Sequence, residues 1–196
     1  MRFPRAVVFG STSFGGMGWD SMFSIQLYEK VKYFTRNVRI RSRLGNLIQA
    51  ATETAQIFAG ISSNVLNTNT KWSQWCPLTW ITSLSIGLQS IDAGIDTNFM
   101  IMKPIREYDR NLMDIFYGWQ YTTLDLKQLN MCRVYLQVVT VADITSMDGT
   151  TLEHQYIDCK KTRKSTLTWP NQVEPPKSAK TSGRKPCQDY ALHEGY

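Results

Sequence analysis

Four basic side chains in the N-terminal part of the chain have a spacing that could bind phosphate groups. Residues 30–52 contain six basic side chains and no acidic one. Steps of four, three and four residues place four of these on one helix face: Lys32, Arg36, Arg39 and Arg43. The planar fork of arginine matches phosphate oxygens. The pattern predicts contact with a nucleic-acid backbone, and a solvated helix face is the alternative.

A second basic cluster lies in the C-terminal part of the chain. Residues 160–185 contain eight basic side chains and one acidic side chain. The densest group is Lys160, Lys161, Arg163 and Lys164. Because the net charge of the whole chain is +6, the residues outside these two segments are acidic overall. This distribution favours an anionic partner, either RNA or DNA bound without sequence preference or an acidic protein.

The glycine-rich segment at residues 10–18 could bind phosphate in a different way, but its pattern is incomplete. A phosphate-binding loop of the Walker A type needs Lys and then Ser or Thr after its second glycine, where this chain has Gly16 and Met17. The dinucleotide pattern also fails, because Ser21 stands where its third glycine belongs. We interpret these glycines as residues of tight turns.

No set of side chains has the spacing of an active site or a metal site. The pairs His154/Cys159 and Cys187/His193 do not match a zinc knuckle. The carboxylates that a two-metal nuclease would need are scattered, at Asp92, Asp96, Asp109, Asp114 and Asp125. With two histidines and no nucleophile elbow, a Ser-His-Asp arrangement is unsupported as well. We expect no catalytic residue, cofactor or small-molecule substrate.

The four cysteines and the apolar segments indicate the cellular compartment of the protein. Four cysteines in 196 residues are too few for a disulfide scaffold, which favours reduced thiols inside the cell. The N-terminal apolar run is too short for a signal peptide. The longest apolar segment, residues 78–88, is too short to span a bilayer. We expect an intracellular protein, in the nucleus or cytoplasm, with no membrane partner.

Hydrophobic periodicity predicts a mainly α fold, an irregular bundle of about five helices. The first helix has a buried stripe and ends near residue 44; the stripe is Phe23, Leu27, Val31, Phe34 and Val38. The second stops before Gly60, the third runs from Pro77 to near Ile91, the fourth opens at Pro104, and the fifth runs from Thr122 or Thr123 through Leu136. One small β-hairpin is predicted at 141–157, around Asp148-Gly149. The predicted domain spans 1–160, and a flexible basic tail spans 161–196.

Three stretches, taken in order along the chain, form a recognisable pattern. The first is residues 4–10 followed by Phe14-Gly15-Gly16-Met17-Gly18-Trp19. The second is residues 129–138 with Ala142-Asp143-Ile144 and Asp148-Gly149. The third is Trp169-Pro170-Asn171-Gln172 before Pro175. Together they resemble the reverse transcriptases of non-LTR, LINE-like retroelements found in protist genomes, and the resemblance extends over most of residues 4–176. Beyond Pro176 the similarity fades, which suggests a truncated or frame-shifted reading frame.

The resemblance implies a segment that follows the catalytic palm domain, in or beyond the thumb. That family performs RNA-directed DNA polymerisation with palm aspartates in a Tyr/Phe-x-Asp-Asp motif, and residues 107–110 of this chain are not such a motif. No catalytic residue is therefore carried over. The leading hypothesis is a non-catalytic fragment that binds nucleic-acid backbone, with the absent polymerase core as a second partner. The other hypotheses are a helical module that docks an acidic protein, and a complete enzyme.

Overall fold

The computed structural model describes residues 4–40, 42–97, 106–107, 109–119, 121–160, 169 and 174–180. The helices are α1 (Arg5–Phe9), α2 (Met22–Ile40), α3 (Arg43–Ala59), α4 (Trp80–Ser90), α5 (Leu112–Gly118), α6 (Thr123–Leu136) and α7 (His154–Ile157). Residues 177–180 add a helical turn. Turns of 3-10 helix lie at Thr12–Phe14, Trp72–Gln74 and Val141–Asp143. The fold is mainly helical, as the sequence predicts.

The chain forms two compact units, Met1–Ile48 and Gln49–Tyr196. The division falls inside α3, whereas the sequence predicts a boundary at residue 160. Composition changes at 160, but packing is what defines a compact unit, and buried residues follow that position in the second unit.

In the first unit, the glycine-rich segment folds back onto α1. The backbone N–H of Gly18 donates to the Gly10 carbonyl (2.9 Å), and that of Met17 donates to the Val7 carbonyl (2.8 Å). A Cβ on Gly16 would lie 2.1 Å from the Gly10 carbonyl oxygen, so only glycine fits. The interpretation of these residues as turn glycines is confirmed.

The predicted apolar stripe of the first helix is buried at its centre. Leu27 and Phe34 are buried on α2, whereas Phe23, at the start of the stripe, is 49% exposed. With 19 residues, α2 is the longest helix in the described ranges. Neither it nor any other helix described there is long and apolar enough to cross a membrane.

The first predicted helix is divided into two, and it ends earlier than predicted. α2 ends at Ile40 and α3 begins at Arg43. The Ser42 hydroxyl accepts a hydrogen bond from the backbone N–H of Gly45 (3.0 Å), which is the bond of a helix N-cap. The serine therefore starts a new helix, although the apolar and basic periodicities continue across it.

In the second unit, hydrogen bonds from buried side chains hold the loop after α3 against α4. Val65 and Leu66 are buried. The indole N–H of Trp72 donates to the Val65 carbonyl (3.0 Å), and the Ser85 hydroxyl of α4 donates to the same carbonyl (2.8 Å). α4 starts at Trp80, later than the predicted start at Pro77, because Thr79 caps its first turn.

The fourth predicted helix is shorter than expected. It begins at Leu112 in α5, and Pro104 lies outside the described residues. The preceding backbone is paired with another segment: the N–H of Leu112 donates to the Val139 carbonyl (2.9 Å), and the N–H of Val141 donates to the Arg110 carbonyl (3.0 Å). These tertiary bonds take the place of a first helical turn. The fifth predicted helix is confirmed as α6, capped by Thr122.

The predicted hairpin is present only as a turn and one bridge. Gly149 has a φ of +76°, as the Asp148-Gly149 signal requires, and Thr145 pairs with Leu152 in an antiparallel bridge. The predicted arms are not strands, because they contain the 3-10 turn Val141–Asp143 and α7. Hydrogen bonds from Ser146 and Thr150 lower the pKa of Asp148 to about 2.

Part of the predicted tail is packed in the second unit. Trp169 is buried against Val134 and Val139, and Ala179 is also buried. Individual residues of the predicted tail are thus packed, whereas the flexibility of the tail stays a prediction. The remainder of the predicted tail, residues 161–168, 170–173 and 181–196, lies outside the described residues.

Candidate nucleic-acid interface

The solvent side of α2 carries three of the predicted phosphate-binding residues. Lys32, Arg36 and Arg39 lie on the side opposite the buried Leu27 and Phe34, and all three are exposed. The prediction that these basic residues share one helix face is therefore confirmed. Whether they bind phosphate remains a prediction.

Lys32 has local partners that the sequence analysis overlooked. Its Nζ lies 3.4 Å from Glu29 Oε1 and 5.6 Å from the centre of the Tyr28 ring. Glu29 stands one residue before the acid-free segment that begins at Lys30, so counting within that segment missed it. An exposed pair of this kind contributes little to stability, but it reduces the positive charge that Lys32 offers to a ligand.

Arg43 is separated from the other three basic residues. It is exposed in the first turn of α3, beyond the end of α2 at Ile40. It therefore does not continue the helical row. On α2 itself, Arg36 and Arg39 remain as the two arginines of the candidate surface.

Aromatic and aliphatic side chains are interleaved with these arginines. Tyr28 is 64% exposed and Tyr33 is 46% exposed, and Ile40 is 63% exposed. At 100° per residue, Tyr28 and Tyr33 lie on either side of Arg36 on the solvent side of the helix. The sequence analysis missed them because it followed the buried stripe and the charges. The sequence could have indicated them, because both tyrosines fall outside the buried stripe and therefore on the solvent side of the helix.

The second basic patch is described only at its first residue. Lys160 is exposed, and its Nζ lies 3.2 Å from Asp158 Oδ2. The other three residues, Lys161, Arg163 and Lys164, lie outside the described residues.

Arg133 is a strongly perturbed basic group among the described residues of the second unit. Its Nη2 donates to the carbonyls of Ile57 (2.6 Å) and Phe58 (2.8 Å), and its Nη1 donates to the Val138 carbonyl (3.1 Å). Nε and Nη2 both donate to Asn130 Oδ1. Burial lowers the pKa of Arg133 to about 10, which still leaves it charged at neutral pH. This guanidinium has a structural role, since its N–H groups donate to acceptors within the protein.

Arg133 completes the C-terminus of α3. The last carbonyls of a helix have no partner within it, and a positive charge there is favoured by the helix dipole. Gly60 ends α3 with a φ of +64°, and a Cβ there would lie 2.6 Å from the guanidinium carbon of Arg133. The indole N–H of Trp75 donates to the remaining carbonyl, that of Ala59 (3.1 Å). Gly60 was predicted as the end of this helix, but its close approach to Arg133 was not.

A small apolar cavity of about 40 Å³ lies beside Arg133. Two cysteines contribute to its wall, Cys132 of α6 and Cys159 after α7, and Lys180 also lines it. Both cysteines are buried and neither forms a disulfide. Leu112, Phe116 and Tyr156 supply apolar surface.

Three of the scattered carboxylates make structural hydrogen bonds. Asp114 Oδ2 accepts from the backbone N–H of Ser62 (2.8 Å), and Asp109 Oδ1 accepts from that of Ala142 (3.1 Å). Asp125 pairs with the capping hydroxyl of Thr122 (2.6 Å). Across the part of the chain that the structure describes, no group of three or more His, Cys, Asp or Glu side chains is arranged to hold a metal ion.

Comparison of the chain with protein-family models, with curated proteins and with solved structures gives no match.

Proposed function

We propose that this chain is a non-catalytic segment of a retroelement reverse transcriptase that binds the backbone of single-stranded nucleic acid through α2. The observation that carries the proposal is the solvent side of α2, where Arg36 and Arg39 are exposed beside the exposed rings of Tyr28 and Tyr33. The assignment to reverse transcriptases rests on the resemblance of the three sequence stretches.

The arginines and the tyrosines on this face would have different roles in binding. A guanidinium binds phosphate oxygens without reading the base sequence. An aromatic ring stacks on an unpaired base, and every base has a face suitable for stacking. Duplexes keep their bases stacked internally, so exposed rings favour a single strand. The proposed binding is non-specific and sensitive to salt.

The test is the salt dependence of binding to a fluorescently labelled single-stranded oligonucleotide, as RNA and as DNA. The variant Arg36→Ala/Arg39→Ala removes both arginines. For single strands, the slope of log K against log salt concentration should fall by about 0.7 for each lost phosphate contact. The matched control is Lys71→Ala/Lys127→Ala, which removes the same charge from exposed positions of the second unit. An equal loss of slope in both variants would contradict the assignment to α2.

A second variant separates stacking from charge. Tyr33→Ala should weaken binding by about 1 kcal/mol or more while the salt slope stays unchanged. Unchanged affinity would remove the stacking role and leave only a charged surface.

The alternative function, a module that docks an acidic protein, is favoured by the aliphatic side chains on the same surface. Met22, Ile25 and Ile40 are each at least 45% exposed, and nucleic acid makes little use of aliphatic surface. Poly-glutamate and single-stranded RNA serve as the two probes at low salt. Capture of poly-glutamate with no binding of RNA supports the protein module and contradicts the proposal.

A further inference from the structure

Cys132 and Cys159 are brought together by the fold although 27 positions separate them in the sequence. Their side chains are in hydrogen-bond contact, and both line the cavity next to Arg133. Neither takes part in the proposed nucleic-acid surface, which lies on α2. This leaves a pair of buried thiols whose arrangement the proposed function does not explain.

The position of Cys159 is fixed by an unusual backbone conformation. Its φ is +52°, in the left-handed region that glycine normally occupies. It follows α7 in a Schellman motif: its N–H donates to the Tyr156 carbonyl (3.1 Å), and the N–H of Lys160 donates to the Gln155 carbonyl (2.8 Å). A cysteine placed here, where glycine would cost less, directs its thiol at Cys132.

The surroundings of the pair lower the pKa of Cys159. The hydrogen bond from Cys132 lowers the pKa of Cys159, and the Lys180 ammonium lowers it further, while burial and Glu174 oppose both effects. The single thiol proton of Cys132 can alternatively be donated to the Ala179 carbonyl oxygen, which lies 3.5 Å from the Cys132 sulfur. Because a thiolate is the nucleophilic form of cysteine, Cys159 is the member of the pair suited to react first.

Cys76 provides a contrast within the same unit. Burial raises its pKa to about 12, despite the nearby charge of Arg133. A thiol of this kind stays protonated at neutral pH and is a poor nucleophile. The lowered pKa of Cys159 is therefore not shared by Cys76.

We propose that Cys132 and Cys159 form a peroxide-responsive dithiol that closes to an intramolecular disulfide. The Cys159 thiolate attacks one oxygen of hydrogen peroxide, the O–O bond breaks, and the products are a sulfenic acid and hydroxide. The Cys132 sulfur then attacks the Cys159 sulfur. The S–OH bond breaks, and the departing hydroxyl leaves as water with the thiol proton of Cys132. In sum, two thiols are oxidised to one disulfide, and one peroxide is reduced to two waters.

The first test is peptide mapping of the full-length, reduced, folded protein after treatment with hydrogen peroxide and alkylation of the remaining thiols. Trypsin cuts after Lys127, Arg133 and Lys160, so the two cysteines fall on adjacent peptides, residues 128–133 and 134–160. The expected product is these two peptides joined by a disulfide, with Cys76 alkylated. The proposal is overturned if no linked peptide forms, if either cysteine links instead to Cys76 or Cys187, or if linkage requires urea.

Trapping of the sulfenic acid tests which cysteine reacts first. In Cys132→Ser, dimedone should label Cys159, because the second thiol that would consume the sulfenic acid is missing. In Cys159→Ser, labelling of Cys132 should be several-fold slower. The control Cys76→Ser should still give the linked peptide. Equal labelling in the two variants would overturn the order of steps.

Lys180→Met tests the contribution of the ammonium. It should slow dimedone labelling of Cys159 several-fold in the Cys132→Ser background, because one of the two groups that lower the pKa is lost. The exposed Lys177→Met, three residues earlier in the same segment, is the matched control. A rate unchanged in Lys180→Met, or reduced equally in the control, would overturn this contribution.

Discussion

Among single residues, Arg133 shows how one side chain can join segments that are distant in sequence. Its guanidinium donates to backbone carbonyls at the end of α3 and to the carbonyl of Val138 after α6. It also lies over the ring of Trp169, with its central carbon 5.9 Å from the ring centre. The end of α3, Val138 after α6 and Trp169 are therefore all in contact with one buried cation.

Replacing Arg133 should destabilise the protein strongly. Arg133→Met keeps most of the volume but leaves the carbonyls of Ile57, Phe58 and Val138 buried with no donor. The free energy of unfolding should fall by about 3 kcal/mol. Arg133→Lys should restore little of this, because one ammonium cannot reach all the carbonyls that lie around the edge of the planar guanidinium. Urea unfolding measures the change.

Lys127→Met is the control for this series, because it removes a positive charge from the exposed side of the same helix. Its effect should stay within about 0.5 kcal/mol. If Arg133→Met were equally mild, the hydrogen bonds of the guanidinium would not be important for stability.

At the level of helices, three C-termini have left-handed residues that are not glycine. Asp92 after α4 has a φ of 51°, Gln137 after α6 has 61°, and Cys159 after α7 has 52°. At α4, the N–H of Asp92 donates to the Gln89 carbonyl (3.2 Å) and that of Ala93 donates to the Leu88 carbonyl (3.0 Å). This is a Schellman motif, in which glycine is the usual residue at the left-handed position.

Asp92→Gly should therefore stabilise the protein. Glycine adopts a positive φ without the steric cost that Asp incurs, and the side chain of Asp92 is exposed. The free energy of unfolding should rise by about 0.5 kcal/mol, measured by urea denaturation. Asp92→Ala is the matched control, since it removes the same side chain but keeps the steric cost. Equal stability of the Gly and Ala variants would show that the backbone conformation is not the cause.

For the whole molecule, the unexpected finding is how far the core of the second unit extends along the chain. Trp169 is buried against Val134 and Val139, with Ile57 and Phe58 packed on the same cluster. Ala179 is buried as well. The composition of residues 161–196, basic and proline-containing, predicts a flexible tail. Individual apolar residues within it nevertheless pack into the core.

Trp169→Ala should then behave as a core substitution. It removes a large buried ring and its contact with Arg133, so the free energy of unfolding should fall by about 3 kcal/mol, measured by urea denaturation. The control is Trp19→Ala, because Trp19 is 61% exposed in the first unit. Its effect should lie within about 0.5 kcal/mol. A mild effect at Trp169 would mean that this residue is not part of the core.

Features that depend on neighbours a few positions away could be predicted from the amino-acid sequence alone. Helical periodicity gave the face of α2 on which Lys32, Arg36 and Arg39 lie, Gly60 marked the end of α3, and Thr122 marked the start of α6. Each follows from the helix repeat or from a capping preference, which act within one or two turns. The same local rules located the turn at Asp148-Gly149.

Features that join distant segments of the chain become visible only in the folded structure. The paired backbone before Leu112 shortened α5, because its hydrogen-bond partners lie near Val139. Arg133 and the Cys132–Cys159 pair gained their surroundings from residues tens of positions away. No local pattern encodes these contacts, since they form only when the helices pack. The basic face of α2 could thus be predicted from the sequence, whereas the buried arginine and the dithiol could not.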